Sequence, residues 1–297
     1  GIDRADIRRK NLIKSEQMPF KKELETRGGS PVILDSGDYL SCMEQALEKV
    51  GYRDFSVRKE KALKEGKYVG LGFANYVKGT GRGPFETVKV KVGNSGKISV
   101  YSGAAAMGQS TRTMLSQIVA EFLGGDLENI NVITGDSSAV PIGIGGSASR
   151  QTVTAGSSAL LAAKEVRNKL LKVAATLLEV SEKDLEIKGR QINVKGVTEI
   201  KMDIGEVAHA VAGTPGYALP SGFEPGMEST KNFIVDDLTF VNGTVAVEVE
   251  VDVETGKVFF RNYIIVHDCG TMINPMIVDG QVIGGTAHGI GNALFCL

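Results

Sequence analysis

The stretch Gly103–Lys164 constrains the fold most, because it contains the same local pattern twice. In each copy, a loop rich in Gly, Ala and Ser leads into an amphipathic helix. The first loop is Gly103–Ser110, and a helix is predicted after it over Thr111–Leu123; the second loop is Pro141–Arg150, and a longer helix follows. Apolar residues recur in both helices at spacings of three and four, which is typical of a helix packed along one face.

These two loops suit contact with an anionic ligand. The first turn of a helix leaves backbone N–H groups without intrahelical partners, and the helix dipole adds partial positive charge there. Small side chains let a phosphate-sized group reach that backbone. Two tight turns with ordinary N-caps would have the same composition, so the pattern alone leaves both interpretations open.

Composition predicts a globular protein and argues against some partners. The 297 residues include 34 Lys and Arg against 35 Asp and Glu, which gives a net charge of −1. Proteins that bind nucleic acids or membrane surfaces usually carry a basic excess, so we expect neither partner. Cys42, Cys269 and Cys296 form neither a disulfide framework nor a zinc pattern. A reducing, cytoplasmic location is therefore expected.

Alternating and helical patterns predict an α+β fold with two subdomains, each a mostly antiparallel sheet with packed helices. Residues 1–50 are predicted to form a connector and a helix. Residues 51–195 are predicted to form a subdomain that contains both loop–helix units. Residues 196–297 are predicted to form a second subdomain, with a β-hairpin and a C-terminal helix, truncated at its end.

The clearest hairpin joins Thr239–Val253 to Val258–Asp268. Alternate valines fall on one side of its first strand, and the run from Glu248 to Glu254 is interpreted as the solvent face. A helix is predicted from Met276 to Phe295, with small residues that would allow a close helix contact.

Few side chains suggest acid–base or metal chemistry. The three histidines are scattered, and the sequence has no GxSxG elbow. His267-Asp268-Cys269 has residue types found in metal sites, but a structural role is the favoured hypothesis. We therefore assign no catalytic residue and no metal ligand.

Several short motifs follow one another along nearly the whole chain. They are Gly1-Ile2-Asp3 with Arg8–Leu12, Met107-Gly108-Gln109 followed by Thr113 and Gln117, Gly145–Arg150, Asp268-Cys269-Gly270 with Ile273-Asn274-Pro275, and Gly280-Gln281-Val282. This ordered set resembles the molybdopterin-binding part of the molybdenum hydroxylases, which include xanthine oxidase and dehydrogenase, aldehyde oxidoreductase and the carbon monoxide dehydrogenase large chain.

The resemblance implies a molybdopterin cofactor carrying molybdenum, with the cytosine dinucleotide as one form. The cofactor-binding residues that it implies are Gly108, Gln109, Gly145, Gly146, Ser147, Ala148, Ser149 and Gln281. Gly146 would lie nearest the molybdenum, which takes no side-chain ligand from the protein in this family. The implied reaction is oxidative hydroxylation of an N-heterocycle or an aldehyde, with iron–sulfur and FAD centres on other segments or subunits.

The chain also departs from the family pattern. Ser110 stands where the family has Gly after its MGQ triplet, and its hydroxyl could still cap the helix. The family's catalytic glutamate belongs to a GE motif beyond the GQV helix, and the sequence ends at Leu297 before such a motif. The resemblance therefore implies part of a cofactor site, inactive alone, whose partners are the remaining molybdenum-domain segments. A non-catalytic scaffold fragment and a generic nucleotide-binding module remain the alternatives.

Overall fold

A computed structural model of the chain describes residues 1–26, 29–213, 215, 216 and 218–295, without the side chain of residue 198. The helices are α1 (Arg4–Asn11), α2 (Tyr39–Lys49), α3 (Phe55–Lys64), α4 (Thr111–Leu123), α5 (Ser157–Leu178), α6 (Ile204–Ala210) and α7 (Pro275–Phe295). The strands are β1 (Phe20–Glu25), β2 (Pro31–Leu34), β3 (Tyr68–Thr80), β4 (Phe85–Val92), β5 (Ile98–Ser102), β6 (Ile130–Thr134), β7 (Leu185–Lys188), β8 (Gln191–Val194), β9 (Val197–Asp203), β10 (Glu228–Ile234), β11 (Thr239–Val251) and β12 (Val258–Asp268).

These elements form two compact units, and both units are discontinuous in sequence. The first comprises Gly1–Thr80 and Asp237–Thr271, and the second comprises Gly81–Asp236 and Met272–Leu297. The predicted subdomain boundaries are corrected by strand pairing. The boundary expected near residue 196 lies between β8 and β9, which are neighbours in one sheet. The segment after residue 236 returns to the first unit because β11 pairs along the whole of β3.

In the first unit, β11 is the middle strand of an antiparallel sheet with the order β12-β11-β3. Helix α2 packs on this sheet, where Ala46 and Val50 form a small apolar core with Leu71 and Ala246. β1 and β2 form a separate antiparallel pair.

The alternation predicted for β11 is present, but the buried face is the opposite one. Thr244, Ala246 and Glu248 are buried, whereas the alternate valines are only half-buried. Glu248 is 2% exposed, and its carboxylate accepts a hydrogen bond from Arg58 of α3 at 2.8 Å. The prediction of a solvent-facing carboxylate run is therefore wrong at Glu248. Residues two apart share a face, so Glu248 lies on the side of Ala246, where an arginine compensates its burial.

In the second unit, the main sheet has the order β10-β4-β5-β6. Only β5 and β6 are parallel among the pairs of this sheet in the described part of the chain. Val88 and Val90 of β4 form one fully buried core with Leu115 of α4 and Leu170 of α5. The sheet β7-β8-β9 adds Ile187 and other apolar residues to the same core. This core supports the strands from which both glycine-rich loops depart.

Helix α7 begins within one residue of its predicted start, and its small residues, which would allow a close helix contact, face no neighbouring helix among the described residues. A Cβ built on Gly285 or Gly289 would meet no described atom within 4 Å.

Within the described ranges, none of the helices combines the length and apolar character needed to cross a membrane.

Candidate functional site

The chain leaves two parallel, neighbouring strands, β5 and β6, on its way to the two glycine-rich loops. Ser102 ends β5, Thr134 ends β6, and these two residues are partners in the pairing register. The chain leaves β5 into the first loop and α4, and it leaves β6 towards the second loop and α5. Ligands often bind outside the carboxyl ends of adjacent parallel strands, where the following helices begin.

The first loop reaches α4 through left-handed backbone. Gly108 has a φ of 101° and Ser110 has a φ of 59°. Ser110 occupies the N-cap position, and no side chain caps the helix there. The expected Ser110 cap is therefore not formed, because capping side chains normally need an extended backbone at this position. The N–H groups of the first turn of α4 are not used by a side-chain cap.

The second loop contains consecutive left-handed residues that are not glycine. Gly145 has a φ of 86°, and Ala148 and Ser149 have φ values of 46° and 54°. This conformation costs a residue with a Cβ about 1–2 kcal/mol, so surrounding contacts must impose it. The loop then enters α5 through a π-helical turn, Thr152–Gly156, a form often found at functional sites.

Direct contacts join the two loops. A Cβ built on Gly143 would lie 2.6 Å from the Cα of Gly103, so backbone meets backbone there. Gln151, which follows the second loop, accepts a hydrogen bond from Gln109 at 2.7 Å and donates one to the carbonyl of Ala105 at 2.9 Å. The loops therefore form one structure rather than two independent turns.

A buried ion pair, which the motifs did not predict, holds the second loop. Arg150 and Glu86 have side chains that are 1% and 0% exposed, and their charged groups are 2.9 Å apart. Glu86 Oε2 also accepts a hydrogen bond from the N–H of Gly145 at 2.9 Å. Arg150 donates in addition to the carbonyls of Arg82, Phe85 and Gly145.

The sequence contained a signal for this ion pair. Glu86 lies two positions before Val88 and four positions before Val90 in β4. Its side chain therefore shares their inward face. A carboxylate on the buried face of a strand requires a partner, because an unpaired buried charge is costly. The identity of that partner depends on contacts that the alternation does not predict.

The middle of the second loop presents free donors. Among the described residues, the N–H groups of Gly146, Ser147 and Ala148 donate to no protein acceptor. Ser147 and Ala148 are exposed, whereas Gly146 is half-buried. A Cβ on Gly146 would lie 2.1 Å from Nε2 of Gln151, so a side chain there would displace the link between the loops. Free amides beside short side chains are suited to an oxygen-rich anion.

Gln281 lies on α7 and not in the loops. It is exposed, in the second turn of this helix. The start of α7 contacts α4, where Asn274 donates a hydrogen bond to Gln117 at 3.0 Å. The structure thus brings together the predicted residues of the two loops and leaves Gln281 exposed on a helix that begins beside α4.

The His267-Asp268-Cys269 sequence lies in the first unit, at the end of β12. His267 Nδ1 is 2.6 Å from the hydroxyl of Tyr76, and burial lowers the pKa of His267. Burial and the nearby Asp268 carboxylate raise the pKa of the Cys269 thiol, which makes it a weak nucleophile and metal ligand. No group of three or more His, Cys, Asp or Glu in the described ranges is arranged to hold a metal ion. A structural role for this sequence therefore stays the hypothesis, and the contact of His267 with Tyr76 is compatible with it.

A separate open cavity of about 740 Å³ lies beside α4 and the π-helical turn in the second unit. Its lining is largely apolar and includes Ile118, Phe122, Leu160 and Met272. It contains none of the residues predicted to bind the cofactor, so it is distinct from the two loops.

Comparison with known proteins gives one consistent result. The family model described as the molybdopterin cofactor-binding domain matches residues 45–295. The nicotine 6-hydroxylase large subunit of Paenarthrobacter nicotinovorans is 35% identical, over 98% of this chain and 36% of that protein. The carbon monoxide dehydrogenase large chain of Afipia carboxidovorans is 32% identical, over 99% of this chain and 37% of that protein.

Solved structures show the same fold. The crystal structure of quinoline 2-oxidoreductase from Pseudomonas putida 86 matches with a TM-score of 0.83 and 33% identity, over 97% of this chain and 37% of that one. The chain therefore spans between 36% and 37% of the length of these three relatives.

Proposed function

The chain belongs to the molybdopterin cofactor-binding domain family, and from that membership we propose that its two glycine-rich loops bind the cofactor of a molybdenum hydroxylase. The residues that would hold the cofactor are Gly108, Gln109, Gly145, Gly146, Ser147, Ala148, Ser149 and Gln281. The observation that carries this proposal is the row of free N–H groups at Gly146–Ala148 in a loop joined to the first one.

The residues present fit such a group. Free backbone donors in a glycine-rich loop suit the oxygens of a phosphate and the heteroatoms of a pterin. Met107 and Ile144 are 71% and 48% exposed, so each loop also offers an apolar side chain that a flat ring could cover. The cytosine dinucleotide form would bring a second phosphate, which the uncapped start of α4 could receive.

Once bound, the cofactor supplies the redox chemistry, in which a C–H bond and water give a C–OH group, two protons and two electrons. The residues of this chain bind and orient the group and exclude water from it. The electrons would leave through iron–sulfur and FAD centres on other segments or subunits. Nicotine and quinoline, which name two of the relatives, both contain a nitrogen heterocycle, and this favours an N-heterocycle over an aldehyde as the substrate. Catalysis would require the remaining molybdenum-domain segments.

The test is the cofactor content of the chain, expressed together with the other parts of its enzyme. We expect stoichiometric molybdenum and pterin in the wild type. Gly146→Ala should lower both by about tenfold, a loss of about 1.4 kcal/mol in binding, because the new Cβ displaces Gln151. Gly72→Ala in β3 is the matched control, since no described atom lies within 4 Å of its Cβ.

The other outcomes separate the alternatives. Tight nucleotide binding without pterin would support a generic nucleotide-binding module. Neither ligand in a folded wild-type chain would support a scaffold fragment. Equal cofactor content in Gly146→Ala and the wild type would contradict the assignment of the second loop.

A further inference from the structure

We propose that Glu86 and Arg150 are positioning residues, which shape the second loop and determine which of its N–H groups a ligand can reach. The identity of the ligand rests on the proposed function. The geometry of the loop does not, and it can be tested without any ligand.

The carboxylate of Glu86 occupies the first N–H donors of this part of the loop. Its Oε2 atom accepts hydrogen bonds from the N–H groups of Ile144 at 3.3 Å and Gly145 at 2.9 Å. These donors directly precede the free N–H groups that begin at Gly146. Because the carboxylate is fully buried beside them, an external anion cannot take its place. Glu86 therefore sets the boundary between the occupied and the available donors of the loop.

Arg150 holds the other end of the same loop. Its guanidinium donates to Glu86, to the carbonyl of Gly145 at 2.5 Å and to the carbonyl of Arg82 at 2.6 Å. Its backbone N–H donates to the carbonyl of Ser147 at 3.1 Å. The intervening residues, Ala148 and Ser149, are the left-handed pair.

This arrangement explains how an unfavourable backbone conformation is maintained. The planar, five-donor guanidinium can satisfy several acceptors in fixed directions, which a lysine ammonium cannot do. A buried ion pair is seldom better for stability than apolar residues of similar size. The ion pair of Glu86 and Arg150 therefore points to a role in the geometry of the loop rather than in the stability of the core.

The experiment uses a double variant, because either single variant could leave an unpaired buried charge and fail to fold. Glu86→Leu with Arg150→Met removes the charges and the hydrogen bonds but keeps apolar packing. Arg58→Met with Glu248→Leu is the control, since it removes an arginine–glutamate pair from the first unit, with a buried glutamate but a half-buried arginine. Amide hydrogen exchange of the 297-residue chain, without cofactor, is followed in residues 141–150 and in β5.

We expect the double variant to exchange about tenfold faster in residues 141–150, with β5 unchanged. The control variant should exchange like the wild type in both segments. Arg150→Lys, which keeps the charge, should give an intermediate rate. Unchanged exchange in residues 141–150 would overturn the inference, and so would equal acceleration in β5, because the pair would then support the whole unit.

Pterin content, measured with the other parts of the enzyme, completes the test. Faster loop exchange together with loss of pterin would support the inference. Faster loop exchange with the pterin content of the wild type would overturn the claim that this geometry matters for the ligand. A wild type that binds no pterin, combined with faster loop exchange in the variant, would refute the proposed function while supporting the role of Glu86 and Arg150 in shaping the loop.

Discussion

Replacing Gly143 by alanine tests whether direct backbone contact holds the two loops together. The added Cβ would lie 2.6 Å from the Cα of Gly103 and 2.8 Å from Oε1 of Glu86. Carbon atoms in good contact are about 3.5–4.0 Å apart, so one loop must move by about 1 Å. Rotation of a free side chain cannot relieve the overlap, because Gly103 contributes backbone and the Glu86 carboxylate is buried and bonded. Overpacking of this kind costs about 1–3 kcal/mol.

Thermal unfolding of Gly143→Ala measures that cost. A domain of this size loses about 2–4 °C in Tm per kcal/mol, so we expect a fall of roughly 2–12 °C. A melting temperature alone does not say which of the two units is affected. Hydrogen exchange in residues 103–110 and 141–150, both in the second unit, should show where protection is lost. Gly72→Ala is again the control, and it should melt at or above the wild-type temperature, because glycine weakens a strand interior. A Gly143→Ala chain with unchanged Tm and unchanged loop protection would refute the reasoning.

Three further outcomes follow from the same contacts. Gln151→Leu should cost about 1–3 kcal/mol in urea unfolding, because Gln109, the carbonyl of Ala105 and the buried hydroxyl of Thr111 lose their partner; no change in the midpoint would contradict this. The lowered pKa of His267 means that the unfolded chain binds its proton more readily, so stability should fall as the pH drops below about 6.5. His267→Gln should make that fall shallower, and an identical pH profile would exclude His267 as its source. Leu115→Ala, at a fully buried position, should cost about 2–5 kcal/mol in calorimetry, and a loss under about 1 kcal/mol would show that the core collapses around the site.

The elements with a strong apolar period were predictable from the sequence. Helix α4 has its predicted bounds, and β12 coincides with the predicted second strand of the hairpin. Helix α3 was not predicted, because Ala62 is its one buried residue in the described part of the chain and the apolar stripe is missing. β10 was also missed. Its pairing with β4 is non-local, as the 139-residue separation of Lys89 and Glu228 shows, and local patterns carry no information about such a partner.

The candidate site was predictable in part. Composition and helix periodicity located both loops, and the parallel pairing of β5 and β6 brings them together. The support of the second loop was not predicted, because Glu86 and Arg150 are 64 residues apart in sequence. The inverted faces of β11 have a similar cause. Valine and glutamate suggest the buried and exposed sides, but the position of α2 and the pairing of Glu248 with Arg58 decide them.

The place of β11 between β3 and β12 has a consequence for biosynthesis. Asn75 of β3 donates a hydrogen bond to Thr244 of β11 across 169 residues, so the ribosome must add all of Gly81–Asp236 before this sheet can close. During that interval β3 presents unpaired backbone groups, which can pair wrongly or recruit a chaperone. The nascent chain thus contains most of the second unit, but not α7, before β3 can pair with β11, and a translational pause just before Thr239 would prolong the time that β3 spends unpaired.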